Sequence, residues 1–119
     1  MAGKYSFRFV DDELNQKLIA RATTSGIPHQ VGPDGTLRYA AENDDAIEER
    51  VIRPVREEVF PRWQMLSCPP AWAGRYRQYM KHNRLPFQEE RIDDQTSFLI
   101  PRDLDPHRWN LEPTTAART

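Results

Sequence analysis

The segment Ile27 to Tyr39, IPHQVGPDGTLRY, returns in looser form 58 residues later as Leu85 to Leu99, LPFQEERIDDQTSFL. Ile27-Pro28-His29-Gln30 aligns with Leu85-Pro86-Phe87-Gln88. After a spacer two residues longer in the second copy, Asp34-Gly35-Thr36 aligns with Asp94-Gln95-Thr96. Each copy reads as strand, turn, strand. Gly32, Pro33, Asp34 and Gly35 supply the positive φ, the fixed φ and the side-chain acceptor that a tight reversal needs; Gln95 in the place of Gly35 makes the second turn less well specified. The same offset carries upstream, pairing Leu14 with Trp72, Leu18 with Tyr76 and Ala22 with Met80, apolar positions four apart as on the inward stripe of a helix. A unit of helix, strand and strand is therefore expected twice, at about 11–41 and 70–101. Two copies are too few for a solenoid, which needs about three or more, and at 119 residues one pseudo-symmetric domain spanning 1–112 is expected, with a disordered tail at 113–119.

Charge and cysteine content remove several classes of function. With 17 basic against 18 acidic side chains the net charge is −1, so no global field selects nucleic acid or an anionic membrane. Any charged partner must be met by a local patch. The single cysteine, Cys68, rules out an intramolecular disulfide and a cysteine-rich metal framework. No run approaches the roughly 18 apolar residues of a membrane span, and none near the start has signal-peptide character. A cytoplasmic protein with no membrane contact is the expectation.

Lys4 to Val10 alternates Tyr5, Phe7 and Phe9 with Ser6, Arg8 and Val10, the period of a strand with one buried face. Three aromatics on one face could also stack bases, but the flanking glycine and basic residues of an RNA-binding signature are missing. Asp11, Asp12 and Glu13 suit the start of a helix, and Gly26 with Pro28 its end. Further on, Ile47, Val51, Val55, Val59 and Trp63 recur every four residues, widened by Ile52 and Phe60. Pro54 and Pro61 interrupt this row and predict a kinked helix or two consecutive pieces. Glu48, Glu49, Arg50, Arg53, Arg56, Glu57 and Glu58 read as its solvated side. A third helix from Pro70 to about Arg84 turns Trp72, Tyr76, Tyr79 and Met80 inward and Arg77, Lys81 and Arg84 outward. Acids of the adjoining hairpin, Glu89, Glu90, Asp93 and Asp94, are available to neutralise that basic stripe. Beyond Pro101, Leu104, Trp109 and Leu111 are apolar enough to pack on the body or on a second molecule.

The predicted order is strand, helix, strand, strand, a long helical region, strand, strand. That order predicts an α+β fold, a ferredoxin-like sandwich (βαββαβ plus an extra C-terminal strand), whose antiparallel sheet carries its helices on one face and leaves the other open. No catalytic or metal-binding spacing occurs: His29, His82 and His107 sit in three different elements, and Cys68 lies between Ser67 and two prolines with no neighbour to activate it. No cofactor is expected, and an enzyme is the less favoured reading. The leading expectation is a small non-enzymatic interaction or regulatory domain whose partner is another protein or a second copy. Its candidate partner-binding residues are Arg77, Lys81, Arg84 and Trp109. The alternatives are nucleic-acid binding through the basic helix, and an enzyme or small-ligand binder using the open sheet face or a cleft.

Overall fold

A computed structural model describes residues 4–109 and 111; the tail assigned above to 113–119 lies outside the described residues. Strand β1 (Lys4–Phe9) leads into α1 (Asp12–Ser25), then β2 (Gln30–Val31) and β3 (Leu37–Ala40). A helical stretch follows: a 3-10 turn (Ala41–Asn43), α2 (Asp44–Ile47), a π-helical turn (Glu48–Ile52) and α3 (Arg53–Val59). The rest is β4 (Trp63–Ser67), α4 (Pro70–His82), β5 (Gln88–Ile92), β6 (Gln95–Pro101) and a 3-10 turn (Pro106–Trp109). All strands join one antiparallel sheet in the order β2-β3-β1-β5-β6-β4.

Local chemistry accounts for most boundaries. Asp11 caps α1 by accepting the Leu14 amide hydrogen at 2.9 Å, Asp12 and Glu13 face the positive end of its dipole, and Gly26 closes it at φ +75°. Pro54 has no amide hydrogen to give the preceding turn. It sits in the first turn of α3, directly after the wide π turn, where the ladder already departs from regular α-helical bonding. Phe60, held extended ahead of Pro61, ends the helix. The apolar row beginning at Ile47 is thus helical only as far as Val59. Trp63 opens a strand that the four-residue spacing had hidden, and the sheet has six strands rather than five.

The helices occupy both faces of the sheet, which corrects the expectation of one covered and one open face. Phe7 lies opposite Leu37 and Ile92, and Tyr5 opposite Tyr39. On that side Phe7, Phe9, Leu37 and Tyr39 pack with Leu14, Leu18 and Ala22 of α1 and with Ile47, Val51, Ile52 and Val55. On the other side Phe98 and Ile100 of β6 pack with Cys68 and with Ala73, Tyr76 and Met80 of α4. The cause is directional. Both β1-α1-β2-β3 and β4-α4-β5-β6 place the last strand between the other two, in the same left-to-right order. Three strands is an odd number, so strict antiparallel pairing runs the second half upside down relative to the first. Turning a chiral unit upside down while keeping its left-to-right order means rotating it about an axis in the sheet, and that rotation carries α4 to the opposite face. The strand order and the two-sided helices together depart from a simple ferredoxin-like sandwich. Among the described residues no helix covers the part of the second face over β1, β2 and β3, which carries exposed Arg38 and half-buried Ser6 and Arg8, with Arg91 of β5 beside them.

Candidate functional site

The two ends of the sheet differ in how they meet solvent. The β2 edge is two residues long and flanked by Pro28 and Pro33, a blunted edge that offers little backbone to a partner. The β4 edge is five residues long, WQMLS, uncharged within the strand, and flanked by prolines in its turn, Pro61 and Pro69. Its inner side pairs with β6 from Trp63 opposite Pro101 to Ser67 opposite Ser97. Its outer side pairs with no strand among the described residues. Trp63, Gln64, Met65 and Leu66 are each half-buried. Gln64 anchors the strand by donating from Nε2 to the carbonyls of Pro101 at 3.1 Å and Leu104 at 2.7 Å.

The residues singled out from the sequence do not form one cluster. Arg77 is held by Glu89 through two bonds of 2.8 Å, from Nε and Nη2, so the first cation of the basic stripe is already neutralised within the chain. Lys81 and Arg84 are exposed and make no hydrogen bond or ion pair through their side chains among the described residues. Trp109 stacks on Tyr79 at 5.0 Å between ring centroids and tilts against Tyr76 at 6.3 Å, packing the C-terminal segment on α4 of its own chain. Phe7 and Phe9 are buried, so the aromatic face of β1 belongs to the core and offers no stacking platform. Cys68 is buried, and burial pushes its thiol up from the ordinary range. Among the described residues no three of His, Cys, Asp and Glu gather as a metal would require, and no helix is long and apolar enough to cross a membrane.

A buried ionic network escaped the sequence reading. Arg56, assigned above to the solvated side of its helix, is 4% exposed, and Glu90 is 0% exposed. Nε and Nη2 of Arg56 donate to the two carboxylate oxygens of Glu90 at 2.9 and 2.8 Å, while Nη1 reaches both oxygens of Glu48 at 3.1 and 3.2 Å. The guanidinium also lies 5.4 Å from the Phe7 ring centroid and 5.2 Å from that of Trp63. Burial works against the Arg56 charge, but the Glu90 hydrogen bonds and the fields of Glu90 and Glu48 outweigh it and hold the guanidinium firmly protonated. Burial pushes the Glu90 carboxyl up, and Arg56 pulls it back only in part. A signal was present: Arg56 stands four residues after Ile52 and four before Phe60, on the inward row, and Glu90 alternates with Ile92 on β5. The network pins α3 to the centre of the sheet and sets Trp63 at the start of the free edge. It clamps α3 to β5, with Glu48 closing its solvent side.

On the uncovered part of the second face lies a shallow cleft of about 240 Å³, bounded by the Pro28–Gln30 segment, β3 and Lys4. His29 Nδ1 stands 2.6 Å from the Ile27 carbonyl. Tyr39 turns its side chain to the other face, where burial and the nearby Asp44 carboxylate push its hydroxyl well above the ordinary tyrosine range. No family model, no curated protein and no solved structure matches this chain.

Proposed function

We propose that the protein is a non-enzymatic interaction domain that associates with a second copy of itself by pairing β4 edges. The observation that carries this reading is the contrast in length and burial between the two edges of the sheet: one offers two exposed residues, the other five uncharged residues of which four are half-buried. An edge of the second kind is what soluble proteins ordinarily protect with lysine, proline or a covering segment, because its open amides and carbonyls accept another strand. Antiparallel pairing about Met65 sets Gln64 opposite Leu66 and Trp63 opposite Ser67, so no like charges meet across the twofold axis. The Arg56 clamp supports the reading by fixing Trp63 from behind, which lowers the ordering cost of association.

Sedimentation velocity from micromolar to millimolar concentration tests it, together with hydrogen exchange of the β4 amides. The expected result is a concentration-dependent dimer whose Trp63 to Ser67 amides become protected as it forms. Met65→Lys, which puts a charge on the edge, abolishes the dimer while circular dichroism stays native. A protein that is monomeric throughout, with β4 exchange independent of concentration, refutes self-pairing.

A further inference from the structure

The pairing of β2 with β3 lasts for two rungs, Gln30 with Arg38 and Val31 with Leu37. Continued in register it would set His29 against Tyr39 and Pro28 against Ala40. Pro28 has no amide hydrogen to extend the ladder, and the His29 bond to Ile27 ties the segment back on itself. The two backbones part there, and the cleft of about 240 Å³ is the space between them.

The lining of that space has a specific chemistry. Lys4, Gln30, Arg38 and Asn43 all border it, and among the described residues none of their side chains makes a hydrogen bond or ion pair. Among the described residues no aspartate or glutamate lines it. Lys4 lies opposite Ala40 and Arg38 opposite Ser6, so both cations sit on the same uncovered sheet face. Arg91, further along that face, adds to the positive potential, while Arg8 opposite it is paired with Asp12 at 2.9 Å. With Nδ1 directed at a carbonyl, Nε2 is the His29 nitrogen left for a ligand. The volume is roughly that of eight waters, below the usual range for drug-sized sites, and fits a fragment-sized molecule.

We propose that this cleft binds a small molecule bearing an anionic oxygen group, a phosphate or a carboxylate. Lys4 and Arg38 meet the charge, and Gln30, Asn43 and His29 meet the neighbouring polar atoms. Arginine suits either anion, since its planar fork pairs with two oxygens at once. The site is separate from the β4 edge, which lies at the opposite end of the sheet.

The test is titration of the full chain with inorganic phosphate and, separately, with citrate, at constant ionic strength, followed by amide NMR shifts. The expected result is a saturable response centred on Lys4, Gln30, Arg38 and Asn43, and whichever anion saturates at lower concentration names the source. Lys4→Ala with Arg38→Ala weakens binding by about tenfold or more, the scale of a lost charge-assisted hydrogen bond. Both side chains are exposed, so the fold does not depend on them. Arg102→Ala, remote from the cleft, leaves the affinity unchanged. Shifts that spread over every exposed arginine and lysine without saturating, or a double variant that binds like the parent, overturn the proposal.

Discussion

Glu90→Gln removes one charge from the clamp and leaves Arg56 in place, 4% exposed, between two aromatic rings. Breaking a buried pair from one side costs about 3–5 kcal/mol, because the remaining charge stays desolvated without its partner. The lower end applies here, since Glu48 still contacts Nη1 at 3.1 Å. Arg56→Met is the harsher change, for it strands a carboxylate that has no solvent exposure at all. Replacing both partners, Arg56→Met with Glu90→Leu, removes the desolvated charges together and should fall within about 1 kcal/mol of the parent or exceed it. Against a total stability of roughly 6–18 kcal/mol for a chain of this length, each single variant stays folded and measurable. Urea denaturation of the parent, both singles and the double closes the cycle, and a coupling of at least about 3 kcal/mol is expected. A Glu90→Gln cost below about 1 kcal/mol, or a double variant as unstable as the two singles summed, would refute the account of the clamp. The pH dependence follows from the same burial. In Arg56→Met nothing opposes the upward push on Glu90, so its carboxyl protonates in the folded state well above the unfolded value. The folded state then holds the proton more tightly, and the penalty is absent below about pH 4.3 and grows as pH rises toward the folded value. Urea midpoints of Arg56→Met should therefore fall relative to the parent between mildly acidic and neutral pH.

Three further outcomes are expected. Gly35 holds φ +83°, and a methyl there would come within 2.8 Å of Asn15 Nδ2, the buried amide that joins Gly35 to Phe9; Gly35→Ala should cost about 2–4 kcal/mol by urea denaturation, and a cost under about 1 would contradict the steric reading. Arg77→Ala breaks a bidentate pair whose arginine side chain is 36% exposed, so its loss should be no more than about 1 kcal/mol and should shrink further in high salt. Cys68 is 8% exposed with its thiol pushed up by burial, so Ellman's reagent should modify it only as the protein unfolds; reaction in native buffer at the rate of a free thiol would show that the Cys68 pocket opens.

Much of the local structure was legible because its causes are local. The Asp11 cap, the Gly26 stop, the alternation of β1 and the Gly32-Pro33-Asp34-Gly35 turn each depend on residues within a few positions of one another. The α+β class and the antiparallel sheet follow from such elements taken in order. Where reading failed, a local rule met a competing tertiary demand. Trp63 continues a helical spacing, yet Pro61 frees it to become the first residue of an edge strand paired with Pro101. Arg56 has the polarity of a surface residue, and only a carboxylate from β5 makes its burial tolerable. Glu89 was named as a neutralising neighbour of the basic stripe, and the structure pairs it with Arg77.

What the sequence by itself determined is which segments become helix or strand and which of their sides are apolar, since periodicity, capping and turn chemistry act over a few residues. Only the tertiary structure decided the face on which α4 lies, which sheet edge stays open and where the β2–β3 ladder splits into a cleft. Those depend on the relative direction of strands far apart in the chain, and on pairs such as Arg56 with Glu90 that no local pattern encodes.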